Sequence, residues 1–150
     1  MKVCWDLPVE TAAWVAQRVP GCERGWTDFV AALVHDERLK VAAGVVFHDW
    51  SPENEVIEVT AAAESPHWAQ RGVLRELFGY AFTHCQMVVA RTTSPRVVKM
   101  WRGFGADAYE IPRLAGRGRG MTLLTLTDDA WAACRLNGGS DGKAKRAEAA

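Results

Sequence analysis

The chain has 150 residues, 49% of them hydrophobic and 24% charged, and its eighteen Lys and Arg balance eighteen Asp and Glu. That is enough chain for one domain with a sizeable core, and it is too apolar for a disordered polypeptide. Zero net charge argues against a binder that works by blanketing nucleic acid with positive charge, while leaving room for a local basic site.

No apolar run approaches the roughly 20 residues that span a bilayer, so no membrane partner is expected. Asp6 stands where a signal peptide needs its apolar stretch, and the chain reads as cytoplasmic. Cys4, Cys22, Cys85 and Cys134 lie far apart with no CxxC pair. They read as free thiols of a reducing compartment, and no metal is expected. Seven Trp is a high count for this length.

Residues 10–19 read as a short amphipathic helix, with Ala12, Val15, Ala16 and Val19 at helical spacing. Pro20-Gly21 stops it. Two apolar runs follow, 29–34 and 39–47, around the polar turn His35-Asp36-Glu37-Arg38. That is a β-hairpin pattern, although the alanines of the first run leave helix open. A turn at 49–54 leads to a third strand, 56–63, with β-branched residues in its first half.

Ser65-Pro66 breaks that strand. A helix runs from about residue 70 to 82, with Val73, Leu74, Leu77, Phe78 and Phe82 on one face. Residues 85–91 form a continuous apolar run and read as a buried strand. Ser94-Pro95 opens the next helix as N-cap and first helical residue, and the helix ends at Gly103 or Gly105. Residues 108–111 and 121–127 read as strands joined by Gly116-Arg117-Gly118-Arg119-Gly120, and a last short helix begins at Asp128 as its cap. Residues 137–150 read as a disordered tail, which bounds the folded domain at 1–136. A strand–helix–strand unit flanked by hairpins specifies an α/β class, with a mixed, mostly antiparallel sheet.

Three segments carry a family resemblance. The strand ending at Ala63 is followed by a loop and a helix opening at Gln70-Arg71-Gly72. The strand 87–91 is followed by Ser94-Pro95-Arg96-Val97-Val98-Lys99-Met100-Trp101-Arg102-Gly103-Phe104-Gly105, which looks like an Asn-x-x-Ala-x-x-Tyr-x-x-x-Gly-Phe helix. A closing hairpin runs from 109 to 127. This order resembles the GNAT superfamily of N-acetyltransferases over roughly residues 10–130. The segments 45–50, 80–82 and 111–113 look most like its small phage- and prophage-type members.

The resemblance implies a central parallel strand pair splayed into a V that admits acetyl-CoA or another acyl-CoA. Ala62, Ala63 and Glu64 would lend backbone groups to the pantetheine arm. Gln70, Arg71, Gly72, Val73 and Leu74 would place the helix N-terminus against the pyrophosphate, with Gly72 permitting close approach. Ser94 stands where the family often has Asn. The implied activity is acyl transfer to a primary amine, on a small molecule or a protein, by direct attack in a ternary complex.

Amine acylation needs a base for the ammonium and an acid for the departing thiolate. Glu58, mid-strand near the expected cleft, is the base candidate, since burial of an isolated acid disfavours its charged form. Tyr109 is the acid candidate, and His48 at a strand end is an alternative base. His84 is read as beginning a strand, with no partner suggested.

Two other readings stay open. The family signature Gln/Arg-x-x-Gly-x-Gly/Ala is met only at Gly72, and Trp101 stands where many members carry Tyr, which fits a catalytically degenerate binding module. The basic cluster Arg113, Arg117 and Arg119 fits a nucleic-acid base-modifying enzyme of phage type. A homodimer is compatible with each.

Overall fold

The computed structural model describes residues 1–137. By their contacts these fall into two compact units, residues 1–84 and the residues from 85 onward.

The first unit begins with a short strand that the sequence does not announce, β1 (Lys2–Cys4), followed by helix α1 (Pro8–Ala16). Pro at the first helical position suits α1, because the missing N–H is one that a helix start leaves unpaired anyway. Strands β2 (Phe29–His35), β3 (Val41–Ser51) and β4 (Val56–Ala63) form an antiparallel sheet with β1 on its outer side. The run 29–34 is therefore strand. Pairing on both sides and burial decide it against the helical leaning of its alanines. β3 also extends past the expected turn at residue 49, to Ser51. Helix α2 (Arg71–His84) closes the unit after a single helical turn at Pro66–Trp68. His84 is the last residue of that helix rather than the start of a strand, with its ring 5.0 Å from that of Tyr80.

β3 is covered on both faces. Its residues 42–48 are all buried. On one face α1 lies so close that a Cβ added at Gly44 would stand 2.7 Å from Val15 Cγ2 and 3.1 Å from Trp14 Cε3. Val15, Ala12, Ala31 and Val46 fill the core there. On the other face Phe47 meets Tyr80 of α2 edge-on at 5.3 Å, and Trp5 lies 4.8 Å from Tyr80. Trp5 also donates its indole N–H to Glu76 at 3.1 Å, which ties the chain after β1 to α2.

The second unit contains β5 (Met87–Thr92), α3 (Pro95–Phe104), β6 (Asp107–Ile111), β7 (Met121–Thr127) and α4 (Asp128–Ala133). β7 pairs antiparallel with β5 on one side and β6 on the other. Val88, Leu124 and Leu126 are fully enclosed. Trp101 packs on Phe104, which meets Trp131 of α4 edge-on. Ser94 caps α3 as expected, and Gly105 ends it in the left-handed region at φ 101°. The cap of α4 is Thr127 rather than Asp128: its hydroxyl accepts the Ala130 N–H, and Asp128 sits in the first turn. Asn137 is tied back to Cys134 and Trp131, and the remainder of the expected tail lies outside the described residues.

Gly44→Ala is expected to lower the unfolding free energy by about 1–3 kcal/mol, read from urea midpoints, because Val15 has no room to retreat. Burial raises the Tyr80 phenol above its ordinary value of 10.0. The unfolded chain therefore ionises first, and stability is present below about pH 10 and is lost as pH rises through the folded value. Tyr80→Phe is expected to flatten that alkaline loss in melting temperatures measured against pH.

Candidate active site

The polar end of the β3–β4 hairpin gathers the chemistry of the first unit. His48 and Glu58 stand directly opposite each other across the ladder, so their side chains share a face. Both are buried, at 5% and 8% exposure. His48 Nδ1 lies 3.6 Å from Glu58 Oε2. Thr60 is two residues further along β4 and hence on the same face, where its hydroxyl meets His48 Nε2 at 2.8 Å.

Asp49 joins this group through a backbone irregularity. Successive residues of a regular strand point to opposite faces. Here the pairing register shifts between His48 and Ser51, and Asp49 takes a left-handed φ of 51°. A bulge of this kind re-aims a side chain, and Asp is among the residues that tolerate the left-handed region. Asp49 Oδ2 thereby reaches back to His48 Nδ1 at 2.8 Å, while the rest of its side chain is exposed. Trp26, from the connection between α1 and β2, lies with its ring 5.2 Å from the imidazole.

The geometry is satisfied when Nδ1–H donates to the Asp49 carboxylate and Nε2 either donates an N–H to the Thr60 hydroxyl or accepts its O–H. The imidazole then sits between one exposed and one buried carboxylate, and its bond to Asp49 is charge-assisted. His48, Asp49 and Glu58 also bring one donor atom each to within 4.8 Å of one another. Two tetrahedral zinc ligands stand roughly 3.3 Å apart, so the 2.8 Å contact has the length of a hydrogen bond.

Glu58 is thus buried and on the inner face, and it is not the isolated acid that the sequence suggests. His48, read there as an alternative base, is brought against it. Thr60 follows from strand alternation once Glu58 is fixed. Asp49 and Trp26 have no such signal, because a bulge and a loop excursion place them.

The residues expected around an acyl-CoA fall in both units. In the first, Gln70, Arg71 and Gly72 open α2 at the surface, and a Cβ added at Gly72 would meet nothing within 4 Å. Gln70 Oε1 accepts from the Met1 amine at 3.5 Å. Val73 and Leu74 turn their side chains inward, and the Leu74 N–H already bonds Gln70 O at 2.9 Å. Arg71, Gly72 and Val73 make up the first turn of that helix. Ala62 pairs with Gly44, and the Glu64 N–H is committed to Ala42 O at 2.8 Å. Donors alternate sides along an antiparallel strand, so those of Ala63 project from the edge of β4 opposite β3. The Glu64 carboxylate accepts from Arg18 Nε and Nη2 at 3.1 and 3.0 Å, and that guanidinium stacks 3.8 Å over Trp14.

In the second unit the Ser94 hydroxyl accepts the Val97 N–H at 3.4 Å, so it serves as a helix cap. Tyr109 lies on β6 opposite Leu123 and is 53% exposed. Arg113, with φ 69°, and Glu110 line an open groove of about 570 Å³ together with Thr92, Thr93 and Met121.

No protein-family model and no curated protein matches the chain. Solved structures do. A mutant of the spermidine N-acetyltransferase SpeG from Vibrio cholerae superposes with a TM-score of 0.59 at 12% identity, over 69% of this chain and 68% of that one. A structure assigned as a phosphinothricin N-acetyltransferase gives 0.60 at 16% identity, over 84% and 96%. The chain has the GNAT fold. Its α/β class is the one expected from the order of elements. Among the described residues of this GNAT-fold chain, no helix is long and apolar enough to cross a membrane.

Thr60→Val is expected to cost about 1–3 kcal/mol in urea unfolding, because it strips a buried imidazole nitrogen of its partner. Thr60→Ser keeps the hydroxyl and is expected to restore most of that loss.

Proposed function

We propose that the chain is an acyl-CoA-dependent N-acyltransferase, with acetyl-CoA as the donor and a primary amine as the acceptor. The observation that carries this reading is the buried Glu58 carboxylate, set against a His48 ring that lies beside Trp26, on a GNAT fold. Both structural neighbours are N-acetyltransferases, and one acts on spermidine, a small amine.

Acyl-CoA supplies an activated acyl group. In this reading the first turn of α2, at Arg71, Gly72 and Val73, sets the positive dipole end of the helix against its phosphates. Gln70 adds a side chain to that end, the Ala62–Glu64 segment contributes the edge donors of Ala63, and Ser94 lies at the start of α3. The fit is supported by the open space over Gly72. Glu58 takes a proton from the acceptor ammonium, and the freed amine attacks the thioester carbonyl. Tyr109 is the candidate donor of a proton to the thiolate. Burial of Glu58 matters because it keeps bulk water from competing with the ammonium for the carboxylate. We place the protein among the small phage- and prophage-type members on the strength of segments 45–50, 80–82 and 111–113, and in the cytoplasm on its four free cysteines.

Titration calorimetry with acetyl-CoA is expected to show binding, and absence of heat at millimolar cofactor would sink the proposal. Glu58→Gln is expected to leave that binding unchanged and to lower turnover of an accepted amine by about 10²–10⁴-fold.

A further inference from the structure

We propose that His48 and Asp49 form a proton exit that returns Glu58 to its charged state after each turnover. This rests on the reading of Glu58 as the base that deprotonates the acceptor. A base that takes one proton per cycle must lose it before the next. Glu58 is 8% exposed, and an acceptor amine seated against it covers what remains. The side chain of Asp49, in contrast, is 73% exposed. His48 Nδ1 is the atom common to both, 2.8 Å from Asp49 Oδ2 and 3.6 Å from Glu58 Oε2.

The transfer runs in two moves, because one imidazole nitrogen has one lone pair. First the Nδ1–H bond of an imidazolium, whose Nε2–H is held by the Thr60 hydroxyl, breaks and an O–H bond forms on Asp49, which then loses that proton to water and leaves a neutral ring. The uncovered Nδ1 lone pair next takes the proton from Glu58, so that a new Nδ1–H forms and Glu58 is a carboxylate again. One proton has passed from the buried acid to solvent, and both His48 and Asp49 end as they began. The longer gap to Glu58 has to close by about 0.8 Å, a tightening of the kind that catalytic hydrogen bonds undergo on substrate binding.

The surroundings of the imidazole serve this task. Thr60 on β4 holds Nε2 at 2.8 Å, so the ring cannot flip and carry Nδ1 away from the carboxylates. Trp26 covers a ring face and carries no titratable group, and Phe29 is the β2 neighbour of His48. The titratable side chains that the structure sets against His48 are therefore Asp49 from β3 and Glu58 from β4. The bulge gives the strongest reason to read a built device. A regular strand would point residue 49 to the opposite face, and the left-handed φ of 51° holds it beside the ring instead.

The test uses Asp49→Asn, an exposed and nearly isosteric change, in the full chain. Thiol release from acetyl-CoA is followed with an amine that the wild type accepts, chosen from a panel of spermidine, free amino acids and a lysine peptide. The expected result is a kcat lowered by about tenfold or more with KM for the amine unchanged, and recovery as imidazole buffer is raised, because a soluble carrier then takes the proton. His48→Asn is expected to lower kcat likewise and to recover with the same buffer. A full wild-type rate in Asp49→Asn overturns the exit, as does a loss that buffer leaves untouched, since a structural defect is not repaired by a proton carrier. A wild type that releases no thiol with any amine overturns the acyltransferase reading itself, and the exit with it.

Discussion

The first unit depends on one constraint, the burial of β3 on both faces over residues 42–48. A strand so enclosed admits no side chain at Gly44 on the α1 face and wants an aromatic at Phe47 on the other. It also sets the terms for His48, which ends the buried run. A polar ring at that depth must have its nitrogens matched: Asp49 beside it on β3 takes one and Thr60 the other, with Glu58 set against it from the same face of β4 as Thr60. The hairpin register that packs the apolar core is therefore the register that assembles the polar cluster. A slip of one residue between β3 and β4 would turn Glu58 to the other face and undo both.

The cluster combines two kinds of environment within a few ångströms. Glu58 lies inside and Asp49 lies in water, with one imidazole nitrogen between them. The inner carboxylate is shut away from bulk water, and the outer one meets it. Neither property belongs to the residue type. Each follows from depth, and depth is set by the turn that ends β3. The GNAT fold supplies the setting and leaves the chemistry to such local choices, since a fold by itself does not fix a function.

Much of the architecture was legible in the chain. The proline and glycine breaks, the Ser94-Pro95 helix start and the apolar periodicity of α2 are local signals that burial only reinforces. Where the reading leaves an alternative open or departs from the structure, a tertiary effect prevails. The alanines of 29–34 lean toward helix, but pairing on two sides makes them strand. β1 is too short to register as a pattern and exists because β2 offers it an edge. Asp128 resembles a cap, yet Thr127 stands one residue earlier with extended backbone and takes the position.

The sequence by itself determined the element order from α1 onward and the α/β class, and it singled out Glu58, since these follow from periodicity, punctuation and a lone charge within an apolar strand. Only the tertiary structure decided that Glu58 faces inward, that His48 stands opposite it, and that Asp49 bends back to join them. Alternation along a strand names two faces without saying which is buried, and the left-handed turn at Asp49 overrides the alternation altogether.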